Sequence, residues 1–149
     1  MEEIMYRNIL IPTDGSPLAD VAVDKGLDLA KALGAKVTAL TVVSPFHVFA
    51  TSVNQIAYSR DEYEEQVHSA AARVLSAIAD KARDRGVAIE TLQVESEEPY
   101  RAIIDTAAET GADLIAMASH GRKGLSAVVL GSETVKVLTH SSIPVLVYR

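Results

Sequence analysis

Residues 8–43 read NILIPTDGSPLADVAVDKGLDLAKALGAKVTALTVV. The stretch opens on a short apolar run, Asn8-Ile9-Leu10-Ile11, closed by Pro12, which suits a fully buried strand. Thr13-Asp14-Gly15-Ser16-Pro17 follow, a dense group of turn formers and helix-start residues. Val21, Ala22, Leu29, Ala30 and Leu33 then form an apolar stripe, with Asp20, Asp24, Lys25, Asp28 and Lys31 between them, and the stripe stops at Gly34. Residues 37–43 are β-branched and apolar, which predicts a second strand.

Working outward, the same grammar recurs. A helical stripe runs from Glu62 through Val67, Ala71, Val74, Leu75, Ile78 and Ala82 to Gly86, and residues 87–94 alternate as a third strand. Glu95-Ser96-Glu97-Glu98-Pro99 opens another helix, with Pro99 in its first turn and acids where the helix dipole favours them. That helix closes at Gly111, and residues 113–118 make a fourth strand. A glycine and basic loop, 119–124, leads towards a last helix ending near Thr139 and a final strand, 143–148. Segment 44–60 has no clear period and reads as a surface excursion. Gly34, Gly86 and Gly111 each suit a left-handed position just past a helix. Alternating strands and helices predict an α/β fold: a parallel sheet covered by helices on both faces, with strands apolar on both sides. No linker or low-complexity tract divides residues 1–149, which read as a single domain.

Composition excludes several classes of function. The chain has 149 residues, 14 Lys and Arg against 20 Asp and Glu, and a net charge of −6. That balance argues against a broad basic face for duplex DNA. Trp is absent and aromatics are 5%, poor equipment for stacking single-stranded bases. With no Cys there are no disulfides, thiolate metal sites or cysteine nucleophiles. Met1-Glu2-Glu3 is acidic where a secretory leader would be basic, and no apolar run approaches the ~18 residues of a spanning helix. The expectation is a cytoplasmic protein with neither nucleic acid nor membrane as partner.

In open α/β sheets, ligands bind beyond the carboxyl ends of the strands. Polar and glycine residues gather there after the first strand (Thr13-Asp14-Gly15-Ser16) and after the fourth (Ser119-His120-Gly121-Arg122-Lys123-Gly124). Asp14 is placed either to accept hydrogen bonds from a sugar or base, or, like Ser16, to cap the next helix. Gly121 and Gly124 allow close backbone approach. Gly131-Ser132 precede a helix whose first amides can hold an anion, with Arg122 and Lys123 adding charge. The competing reading is a glycine turn before a helix capped at Ser132. His120 sits in the glycine loop, placed either to touch a phosphate or simply to be solvated or bonded to backbone. His47, His68, His120 and His140 show no metal-ligand spacing. The P-loop, the dinucleotide fingerprint and the nucleophile elbow are all absent.

Four segments, in this order, resemble the universal stress protein family over essentially the whole chain. They are the first strand with Pro12-Thr13-Asp14-Gly15-Ser16, the loop Ala118-Ser119-His120-Gly121, Gly131-Ser132, and Ile143-Pro144-Val145-Leu146-Val147. Members of the family that bind ATP carry a Gly, two residues, a Gly, nine residues, a Gly and then Ser or Thr. Here that frame falls on Ala118, Gly121, Gly131 and Ser132, with Arg122 to Leu130 as the nine intervening residues. Ala118 stands where the family has its first glycine. It costs little if φ is negative there, and about 1–2 kcal/mol if the left-handed region is required.

The resemblance implies a five-stranded parallel sheet of order 3-2-1-4-5, Rossmann-like and close to the adenine nucleotide α-hydrolase architecture. It implies that Pro12, Thr13 and Asp14 line the adenosine end and that Val42 gives backbone hydrogen bonds to the adenine edge. Ala118, Ser119, His120, Gly121, Arg122, Lys123 and Gly124 would wrap the ribose and phosphates, and Gly131, Ser132, Glu133 and Thr134 would hold the outer phosphates. A Mg²⁺ or Mn²⁺ would be held through the phosphates, without a dedicated protein cage. The implied function is a dimeric stress-response module, paired through strand 143–148, that binds ATP and hydrolyses it slowly or not at all. No general base or arginine finger is evident for fast turnover. The alternative is a dimeric interaction protein of the same fold that keeps these residues for turn geometry alone.

Overall fold

Ile9, Leu10 and Ile11 are fully buried, and their side chains alternate between two separate cores. That alternation marks a central strand with helices on both sides. The computed structural model describes residues 5–46, 60–120 and 129–149. Its elements are β1 (Asn8–Pro12), α1 (Pro17–Leu33), β2 (Lys36–Val43), α2 (Arg60–Arg85), β3 (Ile89–Glu95), α3 (Pro99–Thr110), β4 (Leu114–Ala118), α4 (Ser132–His140) and β5 (Val145–Tyr148). The strands form one sheet in the order β3-β2-β1-β4-β5, and every pairing is parallel. The expected architecture and strand order are both present.

Ile9 and Ile11 face α1 and α2, where Val23, Leu27, Leu75 and Ile78 complete the first core. Leu10 faces α3 and α4, with Leu40, Ile103, Ile115, Met117 and Val137. Glycines end the helices as their placement suggests. Gly34 has φ 69° and its amide returns to Ala30 and Lys31, while Gly111 has φ 71° and returns to Ala107 and Ala108. These left-handed turns satisfy carbonyls that the helix leaves unpaired and aim the chain back at the sheet.

Three expectations are corrected. The strands are not uniformly apolar on both faces: β3 exposes Glu90, Thr91 and Glu95, because it is the edge strand of the sheet, paired only with β2 among the described strands. The third strand starts at Ile89, not at residue 87, since the amide of Val87 is still bonded to Ala82 O at 2.9 Å. The last strand is Val145–Tyr148, shorter than 143–148, because Ser141 Oγ holds both the carbonyl (2.7 Å) and the amide (3.1 Å) of Ile143 in a turn.

Candidate functional site

The chain leaves β1 and returns at β4 on the opposite side of it, so strand order reverses between these neighbours. The crevice beyond their carboxyl ends is where an open α/β sheet holds a ligand. The amide of Thr13 extends the pairing to Leu40 O at 2.8 Å, and Thr13 Oγ1 accepts from Gly15 N at 3.1 Å. Asp14 Oδ1 accepts from Ser16 N at 2.9 Å, and Gly15, at φ 77°, takes a conformation few other residues adopt. Ser16 Oγ then accepts from Ala19 N at 3.3 Å, which makes Ser16 the cap of α1. Asp14 shapes the turn and Ser16 caps the helix.

Val42 occupies the neighbouring strand end. Along a strand the backbone groups of successive residues point to opposite neighbours. Leu40 O faces β1, where Thr13 binds it, and Val43 O faces the β3 side, where Ser96 N donates at 3.0 Å. The Val42 amide and carbonyl therefore face the β1 side, past the last paired residues, Pro12 and Leu40. Thr41, which the sequence does not single out, is buried at this same end. Its Oγ1 has no hydrogen-bond partner among the described residues. Residue type alone does not mark it, because Thr38 is a second buried threonine in the same strand.

At the end of β4, no residue but glycine among the described residues has positive φ. Ala118 thus sits in an ordinary extended strand, and the cost of a left-handed alanine does not arise. Ser119 N donates to Tyr148 O at 2.8 Å, and Ser119 Oγ meets His120 Nδ1 at 2.9 Å. His120 is 8% exposed, yet its Nε2 has no partner among the described residues. A buried polar atom left unpaired is costly, so such an atom calls for an explanation.

The start of α4 is fastened to this strand end. Gly131 N donates to Ser119 O at 2.7 Å. Thr134 Oγ1 donates to Ala118 O and Ser119 O at 3.1 and 3.2 Å. Gly131, not Ser132, is the N-cap, and among the described residues no side chain makes a cap bond to this helix. The amides of Ser132, Glu133 and Thr134 are those a helix cannot satisfy internally, and the helix dipole makes their end positive. A Cβ at Gly131 would lie 3.1 Å from Ser119 O and 3.3 Å from His120 Cα, so glycine lets the helix start approach this closely.

Glu133 is placed differently. Its carboxylate reaches across to α3, where Oε2 accepts from Tyr100 N at 2.9 Å, and Lys136 Nζ lies 3.5 Å from Oε1. Glu98 is the N-cap residue of α3 but makes no side-chain cap bond, and its carboxylate pairs with Arg101 at 2.8 Å. Gly121, Arg122, Lys123 and Gly124 lie outside the described residues. The fold thus places Pro12, Thr13, Asp14 and Val42 at the same end of the sheet as Ala118, Ser119, His120, Gly131, Ser132 and Thr134.

The family model described as the universal stress protein family matches residues 5–149. Universal stress protein YxiE of Bacillus subtilis is 33% identical over 97% of this chain and 100% of its own length. The solved structure of the hypothetical protein MJ0577, from Methanocaldococcus jannaschii, superposes with a TM-score of 0.77 at 29% identity, covering 97% of this chain and 96% of its own. A universal stress protein solved in complex with cAMP superposes with a TM-score of 0.71 at 25% identity, covering 97% of each chain.

Proposed function

The chain belongs to the universal stress protein family, and from that premise we propose that it binds an adenine nucleotide in the crevice between the ends of β1 and β4. The carrying observation is His120: a buried imidazole whose Nε2 has no partner among the described residues, beside a start of α4 whose N-cap is Gly131. An anion there would be met by helix amides and the positive helix end. The adenine would lie towards Pro12, Thr13, Asp14 and the outward-facing backbone of Val42. The likeness to a protein solved with cAMP supports an adenine nucleotide. ATP is the form that Arg122, Lys123 and the glycine frame favour. Mg²⁺ or Mn²⁺ in this reading arrives on the phosphates.

The protein in this reading is a cytoplasmic homodimer with slow hydrolysis or none. β5 is an edge strand with Leu146 36% exposed, and pairing it with a second copy would remove an edge open to aggregation. Titration calorimetry with ATP, ADP and cAMP, each with Mg²⁺, tests the nucleotide reading. ATP should bind to the wild type, and Gly131→Val should abolish binding while leaving the dimer intact by size-exclusion chromatography. No heat from any of the three, with no nucleotide released from purified protein, would leave the interaction-protein reading in its place.

A further inference from the structure

We propose that Glu133 is a positioning residue for this nucleotide site: by capping α3 from α4, it fixes the helix start that receives the phosphates. The inference rests on the nucleotide reading and goes beyond it, because it concerns what holds the anion-binding amides in place. Three observations support it. First, Gly131 contributes no side chain and, among the described residues, α4 has no side-chain cap, so its first turn has no local anchor. Second, among the described residues the first turn is fastened on one side by the Gly131 amide and the Thr134 hydroxyl, both to the end of β4. Third, the opposite fastening is Glu133 Oε2 on Tyr100 N at 2.9 Å. That bond serves both helices, because α3 also lacks a side-chain cap of its own.

The same contact settles the electrostatics. An acid in the first turn of α4 would repel phosphate if it faced the crevice. Here the carboxylate is drawn to the start of α3 and faces Lys136 at 3.5 Å. Lys136 in turn lies over the Tyr100 ring, 5.6 Å from its centroid. The half-buried carboxylate is bonded to the Tyr100 amide and faced by Lys136, so its charge is partly compensated on the side away from β4. Loss of anchoring should therefore outweigh relief of repulsion.

The test compares Glu133→Ala with Glu133→Gln, which retains a carbonyl acceptor for the Tyr100 amide. Glu133→Ala should weaken ATP binding by roughly fivefold, the equilibrium equivalent of one lost helix cap. Glu133→Gln should stay within about twofold of the wild type. Hydrogen exchange read at the Tyr100 amide should be slow in the wild type and Glu133→Gln and fast in Glu133→Ala, with no nucleotide present. A purely structural cap would speed that exchange but leave ATP affinity unchanged, and this would overturn the proposal. So would tighter ATP binding in both variants, which would mean that the charge opposes phosphate. Wild-type protein that binds no adenine nucleotide would instead sink the nucleotide reading, and the positioning role with it, while the Tyr100 amide would still report whether the cap exists.

Discussion

Ser16 shows what a single side chain contributes at the mouth of the crevice. It is buried, and its hydroxyl satisfies the Ala19 amide at the start of α1. Ser16→Ala should cost about 1 kcal/mol of stability, within the 0.5–2 range for a lost cap. A urea unfolding midpoint unchanged from the wild type would refute that role. The sequence offers Asp14 and Ser16 alike as caps, because both are short acceptors just before an apolar stripe. Only backbone geometry separates them: Gly15 reverses the chain, so Asp14 Oδ1 meets Ser16 N and the serine is left to reach Ala19. Ala118 is the converse case. The glycine frame raises the question of strain, and the answer lies in a φ value that no residue name carries.

Elements meet through features that the sequence shows incompletely. Gly26 lies inside α1, where alanine would ordinarily favour the helix by about 1 kcal/mol. Here a Cβ would fall 2.7 Å from Ile11 Cδ1 and 3.8 Å from Ala116 Cβ. Ile11 is fully buried, so its methyl would have to move within a closely packed interior. Overpacking of this kind costs about 1–3 kcal/mol, so Gly26→Ala should be net destabilising by about 1 kcal/mol. In an Ile11→Val background the offending methyl is gone, and the same substitution should become neutral or stabilising. A double-mutant cycle by urea unfolding reads that coupling; equal effects in both backgrounds would show that α1 and β1 do not meet through this pair. Helices and strands themselves were legible because their periodicities are local. The cap of α3 was not, since it comes from Glu133, 33 residues further along the chain. The true start of β3 was hidden too, because Val87 looks like any strand residue until its amide is seen bonded to the preceding helix.

Across the whole molecule, Tyr148 links elements at opposite ends of the chain. It belongs to β5, packs into the core shared by α1 and α2, and lies under Lys25 Nζ, 5.9 Å from the ring centroid. Asp28, also on α1, joins Arg85 of α2 at 2.8 Å. Periodicity alone places each of these elements, but not one against another; the strand order came from the family resemblance. The linkage has a consequence at high pH. Burial first, and the nearby Asp28 carboxylate second, raise the Tyr148 phenol above its ordinary value. Below about pH 10 the phenol is protonated in both folded and unfolded chains, so it adds no pH dependence there. Above that, the unfolded tyrosine ionises while the folded one keeps its proton, and the unfolded state gains. Stability should therefore fall as pH rises from about 10 towards the raised folded value. Phenylalanine at this position cannot ionise. The stability difference between wild type and Tyr148→Phe should be flat from about pH 7 to 9 and should shift in favour of the variant above about 10. Denaturant titrations along that series measure it. A difference that stays constant through the alkaline range would mean that the phenol is no more shielded in the fold than in the unfolded chain.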